Sequence, residues 1–331
     1  MSDAIHDFWT WWKTHNESYA HAFDSHQPLS DELIGEMNER VAAISKNLDW
    51  EFGPGSKSRH HLCLSAGGDP VLRVITERWL KKGPPASEVW EYYPARQPHG
   101  SAGISLRFDG HDIPLDKYQF EIVEDTNREV LDIQAFHPSF AAMKDENARG
   151  QALFISLDNL LGEDGVEQWL GDIKVVDASP ANAASSADLR DRMNELASRA
   201  KGDRWCSMQG ERDGRPSFVT ANLAVKRMQH LLLEMHLTVT LPFAKPNEHG
   251  LPTKEESTAL DALEDELFAT LDAHALYLGR MTGNGVRTLH FRVMEGGPAP
   301  SLVERWAEKH KDKKRVFEIH MDPRWEKRAW R

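Results

Sequence analysis

Gly250-Leu-Pro-Thr-Lys-Glu-Glu256 opens the stretch whose reading decides the fold. It runs on through Leu260-Asp-Ala-Leu-Glu-Asp-Glu-Leu267 and Leu278-Gly-Arg-Met-Thr-Gly-Asn-Gly285 and closes with Asp322-Pro-Arg-Trp325. Thr253 and Glu256 form a capping box, and Leu260, Leu263, Leu267 and Leu271 then recur at helical spacing, so a helix begins here with one apolar stripe. Its acids, among them Asp261, Glu264 and Asp265, lie off that stripe and are expected to form a solvated face. Leu276 to Met281 and Val286 to Val293 flank a Gly283-Asn-Gly285 turn and predict a β-hairpin. Leu302, Val303 and Trp306 mark a short helix, and Phe317, Ile319 and Met321 alternate in a last strand.

Outward from this stretch, Leu231, Leu233, Met235, Leu237, Val239 and Leu241 occupy alternate positions, which predicts the first strand. The order is then βαββαβ, a ferredoxin-like sandwich in which the sheet runs last strand, first, third, second with both helices on one face. Segments near Cys206–Arg212 and Phe218–Leu223 are expected to add two strands. If the helices cover the odd-numbered side chains, the open face carries His236, His290 and His320 together with Glu234, Glu318 and Arg292. Three imidazoles and a carboxylate could hold a transition metal or shuttle protons. Partner or domain docking is preferred to metal or catalytic use of the His/Glu cluster, and a merely solvated face is the remaining reading.

Upstream, residues 178–203 shift to Ala, Ser, Asp and Asn and predict a linker carrying one helix with Leu189, Met193 and Leu196. It separates an N-terminal α+β domain, 1–177, from the C-terminal domain, 204–331. The first domain starts with a helix whose Ile5, Phe8, Trp9 and Trp12 form a core-facing stripe. A second helix is capped by Ser30, and another spans Asp69 to Lys82, ended by Gly83-Pro-Pro85. Trp50–Phe52 with Leu62–Leu64, Val89–Tyr93, Tyr118–Val123 and Val130–Phe136 read as strands, as does Ala152–Leu157. Glu163–Leu170 reads as a helix. The absence of regular βαβ alternation and of a Gly-rich first turn argues against a dinucleotide-binding sheet.

Bulk properties narrow the function classes. A chain of 331 residues suits two cores, and 52 acidic against 40 basic residues give −12, which disfavours nucleic acid and anionic membranes as partners. From Arg305 to Arg331 ten Lys or Arg face five Asp or Glu, so this end alone is basic, most densely at Lys309 to Arg315. No basic n-region with an apolar run precedes the first helix, and no run reaches the roughly 18 apolar residues of a membrane span. Two cysteines, Cys63 and Cys206, provide no disulfide framework. A cytoplasmic protein is expected.

Motifs with a chemical mechanism are missing. His60, His61 and Cys63 look like a metal fragment, but alternation sends His60 to one face and the other two to the opposite face. Asp158, Glu163 and Asp164 lack calcium-loop spacing and read as helix caps. No G-x-S-x-G, P-loop, H-E-x-x-H or paired C-x-x-C occurs, so no cofactor is expected.

The combined pattern of Gly250-Leu-Pro-Thr-Lys-Glu-Glu256, Leu260-x-x-Leu-Glu-Asp265, Gly279-Arg-x-Thr282, Gly285-x-Arg287 and Asp322-Pro-x-Trp325 resembles the bacterial family called domain of unknown function 695, over residues 204–328. Phe8-Trp9 and Leu157-Asp-x-x-Leu-Gly-Glu163 look like the region that accompanies this domain in some bacterial proteins. The resemblance implies no activity or functional residue. Through a likeness in fold to the regulator of ribonuclease E activity B, it implies a role in protein binding. The expected protein is a two-domain α+β interaction or regulatory module with a protein partner, self-association being left open.

Overall fold

The computed structural model describes residues 2–310 and 316–326. The chain divides into two compact units, Met1–Ala200 and Lys201–Arg331. Both are α+β.

The first unit opens with α1 (Ser2–Asp24), α2 (Asp31–Ile44), β1 (Asp49–Pro54), β2 (His60–Ser65), α3 (Pro70–Lys82) and β3 (Trp90–Tyr93). The Ser30 hydroxyl accepts from Leu33 N and the Asp69 carboxylate from Val71 N and Leu72 N, so each helix starts where a side-chain acceptor satisfies its first amides. One face of the β1-β2-β3 sheet packs on the helices around an aromatic core of Phe8, Trp12, Tyr19, Trp79 and Trp90. Trp9 stacks on Trp79 with centroids 4.6 Å apart and donates its indole N–H to the Trp79 carbonyl at 2.8 Å. The aromatic stripe of α1 is therefore core.

The unit continues with β4 (Ser105–Phe108), β5 (His111–Pro114), β6 (Gln119–Asp125), β7 (Val130–Phe136), α4 (Glu146–Leu161), α5 (Glu163–Trp169), β8 (Leu170–Val175) and α6 (Ser186–Arg199). Ala152–Leu157, expected as a strand, lies inside α4. Asp145 caps that helix through Asn147 N, and Ala152, Leu153, Ser156, Leu157, Leu160 and Leu161 form a buried face at helical spacing. A six-residue apolar window cannot separate the two periods, and here the cap decides. The helix expected in a linker is α6. Its Leu189, Met193 and Leu196 are buried in the second core of the first unit beside Phe120, Leu157 and Trp169. A three-residue apolar stripe is enough to bind it there.

The second unit contains β9 (Trp205–Arg212), β10 (Arg215–Asn222), β11 (Met235–Pro242), α7 (Lys254–Leu271), β12 (Ala275–Gly283), β13 (Val286–Val293), α8 (Ala299–Lys309) and β14 (Val316–Met321). The six-stranded antiparallel sheet runs β14-β11-β13-β12-β10-β9, the ferredoxin-like order with two strands added beside β12. Leu237, Val239, Leu241, Leu289, Phe291 and Val293 are buried against Leu260, Leu267 and Leu271 of α7 and Val303 and Trp306 of α8. Odd-numbered side chains thus face the helices. The first strand begins later than alternation suggests, because Leu233 N bonds to the His230 carbonyl in a turn and takes Leu231 to Glu234 out of the ladder. Asn284 and Gly285, both at positive φ, close the β12–β13 hairpin as a two-residue turn whose twist matches the strands.

Candidate functional site

Register places His236 of β11 opposite His320 of β14 on one side and opposite Arg292 of β13 on the other, with His290 and Glu318 both opposite Thr238. His236 Nε2 lies 3.1 Å from His290 Nδ1, with the rings stacked at a centroid distance of 5.3 Å. The third imidazole stands apart. His320 is exposed and its Nε2 lies 3.3 Å from Glu318 Oε2 on the same strand. Glu234, His236, His290 and Arg292 are all buried, so of the six side chains assigned to an open face only Glu318 and His320 are accessible.

Arg292 shows how this arises within the unit. It donates to the Asp322 carboxylate at 2.7 Å and to the Asp322 carbonyl at 3.0 Å, and its guanidinium lies 4.7 Å from the Trp325 ring centroid. Trp325 in turn donates to the Leu233 carbonyl, and Asp322 N to that of Glu234. The Asp322-Pro-Arg-Trp325 segment therefore folds back across the sheet and buries the charge. A cavity of about 310 Å³ on this side is lined by Arg212, Ser217, Thr240, Met281 and Thr288, and by none of the three histidines. Among the described residues, no group of three or more His, Cys, Asp or Glu is placed to hold a metal ion.

Burial, with the Arg292 and Arg212 charges, pushes His290 down to about 4. Its folded value thus lies below the ordinary 6.5, and the unfolded chain binds the proton first. The stability it confers is complete above about pH 6.5 and is lost as pH falls toward 4, by up to about 3 kcal/mol. Protection of β11 and β13 amides relative to the intrinsic exchange rate is expected to fall between pH 6.5 and 4.5, and His290→Gln to flatten that fall. An unchanged trend in the variant would refute the assignment.

The strongest polar cluster lies on the other side of the sheet. Glu264 of α7, expected in a solvated face, is only 4% exposed, as is Arg287. Glu264 Oε2 accepts from Arg280 at 2.6 Å and Arg287 at 3.0 Å, and its Oε1 accepts from the Tyr277 hydroxyl at 3.0 Å. Arg287 also reaches the more exposed Asp261 at 2.6 Å. A bulge between Tyr277 and Gly279 makes this possible by shifting the parity of β12, so that Arg280 pairs with Leu289 and faces the helix. Gly279, at φ +149°, permits the bulge, since a Cβ there would meet the Thr220 carbonyl oxygen at 2.4 Å. Burial and the neighbouring Glu264 push the Tyr277 phenol up, so it is a donor at neutral pH. The network anchors α7 to the β12–β13 hairpin.

In the first unit, His61, Cys63 and Ser65 share one face of β2, and His60 lies on the other against Phe23, Trp90 and Asp24. Burial pushes the Cys63 thiol up, which makes it a poor nucleophile. The acids near Gly162 do not cap α5. Glu163 accepts from the Ser65 hydroxyl and from Arg96 N, and Asp164 forms a two-pronged pair with Arg73. These carboxylates tie the two cores of the unit together, which their chain neighbourhood could not reveal. Beside them a cavity of about 590 Å³ is lined by Glu51, Arg96, His99, Phe154, Asp158 and Asn159. Burial and Glu163, opposed by Arg96, push Asp158 up to about 7.

Lys309 and His310 both engage Glu266. The rest of the basic stretch, 311–315, lies outside the described residues, as do 327–331. No helix of the described residues is long and apolar enough to cross a membrane.

The second unit is thus defined by an extended ferredoxin-like sheet, a helix anchored by a buried Glu–Arg network, and a C-terminal Asp322–Trp325 clamp. Residues 203–327, which contain all three features, match the model of a family of unknown function (DUF695). No curated protein and no solved structure matches the chain.

Proposed function

We propose that the chain is a protein-interaction or regulatory module of the bacterial cytoplasm, and that it engages an extended segment of a partner along the outer edge of β14. The observation that carries this reading is the edge itself. Strand β14 pairs in unbroken register with β11, no strand among the described residues occupies its other side, and Val316, Glu318, His320 and Met321 are all exposed. Natural edges are commonly blunted by proline, lysine or a bulge, and β14 has none of these. An added strand would gain main-chain hydrogen bonds there, with Glu318 and His320 reading its side chains. The resemblance read from the sequence to the regulator of ribonuclease E activity B, which binds an enzyme and restrains it, points to the same role by analogy alone.

A photo-crosslinking residue at position 318 or 320 in living cells is expected to give protein adducts at higher yield than one at Asp265, an exposed site on α7. Equal yields at both places would refute the edge as the docking surface.

A second reading, catalysis, draws support from the first unit. Asp158, titrating near neutrality in a cavity shared with Glu51 and His99, has the properties of a proton-transfer group. On this reading Asp158→Asn removes an activity while leaving the adducts at β14 unchanged. The imidazoles of the second unit lie outside the cavity of about 310 Å³ described there, so they give this reading no comparable support.

A further inference from the structure

We infer that the segment paired with β14 is β14 of a second copy of this chain, antiparallel, about a two-fold axis at Ile319. This rests on the edge-docking reading above and names its partner. A two-fold axis perpendicular to the sheet keeps helix-facing residues opposite helix-facing residues, so the axis must pass through a residue rather than between two. With the axis at Ile319, Glu318 lies opposite His320 of the second copy and His320 opposite Glu318 of the second copy, both pairs on the side away from the helices. On the helix side, Phe317 meets Met321 of the second copy. Directly opposed side chains lie about 5 Å apart, within reach of an imidazole N–H donating to a carboxylate. Within one chain His320 already lies 3.3 Å from Glu318. The paired strands would therefore carry two imidazoles and two carboxylates in alternation.

The neighbouring axes are worse. An axis at Glu318 opposes the two Glu318 carboxylates, and one at His320 sets the two imidazoles against each other and Glu318 against Asp322 of the second copy. Of these three registers only that at Ile319 is self-complementary in charge, and it also covers Met321, which is 51% exposed in the single chain.

Sedimentation equilibrium of the full chain tests this. The wild type is expected to be a dimer at micromolar concentration. His320→Glu places carboxylates opposite each other at both ends and should weaken association by about tenfold or more. The exchange variant carrying both Glu318→His and His320→Glu restores opposite pairs and should return the dissociation constant to within about threefold of wild type. Circular dichroism establishes that all three proteins are folded. A wild type that stays monomeric throughout, or an exchange variant as weak as His320→Glu, would overturn the self-pairing.

The cellular crosslink at position 320 separates this inference from the reading beneath it. Adducts to a second copy support both. Adducts only to a different protein keep edge docking and overturn self-pairing, and a yield no higher than at Asp265 overturns both.

Discussion

Glu264→Ala lowers the stability of the second unit by about 3 to 5 kcal/mol, because it leaves buried Arg287 and half-buried Arg280 without the carboxylate they share. Asp261 keeps its 2.6 Å contact with Arg287 but offers incomplete compensation, since its side chain is more than half exposed and it reaches Arg280 only at 3.5 Å. Glu264→Gln retains the shape and an acceptor for Tyr277 but loses the charge, and should fall between the two. Replacing Glu264 by leucine together with Arg287 by methionine is expected to recover most of the loss, because the desolvation of both charges disappears with them. Urea unfolding with hydrogen exchange of the β12 and β13 amides measures this. A cost for Glu264→Ala below about 1 kcal/mol, the ordinary worth of an exposed pair, would show that the network is solvated.

Asp322→Ala should be comparably damaging, at about 3 to 5 kcal/mol, for a different structural reason. Arg292 has no exposed surface, and Asp322 meets it with both its carboxylate and its carbonyl while Trp325 lies against the guanidinium. The same carboxylate accepts from Glu326 N at 2.9 Å, so the substitution loosens the returning segment as well. Trp325→Leu keeps the ion pair but loses a buried ring, its cation–π contact and its donation to the Leu233 carbonyl, and should cost about 2 to 4 kcal/mol. Faster exchange of β11 and β13 amides in Asp322→Ala, with no change in the first unit, is the expected signature. If the first unit loosens equally, the segment is not a local clamp.

The two networks differ in how far the chain announces them. Arg287 has the same parity as Leu289, Phe291 and Val293, so strict alternation already puts it beneath the helix, and an arginine there requires a buried acid. Glu264 follows the stripe residue Leu263 and lies one turn after Leu260, at the edge of the apolar face of α7, where a carboxylate can turn inward. Arg280 was not legible, because the bulge at Gly279 reverses the parity of β12 and depends on the close approach of β10. The histidines show the opposite case. Alternation correctly put His236, His290 and His320 on the side away from the helices, but it could not tell that His236 and His290 are buried while His320 remains exposed.

Local pattern determined the α+β class, the capped helices, the two-residue hairpin turn and the side of the sheet on which each leucine lies. Those features arise from interactions between residues close in the chain, or from a period of two or 3.6 repeated along it. Tertiary structure alone decided that α6 joins the first unit, that Glu163 and Asp164 bind its two cores, and that Asp322–Trp325 closes over Arg292. Each of these couples groups far apart in sequence, and burial, which sets their charge states, exists only once the surrounding elements have packed.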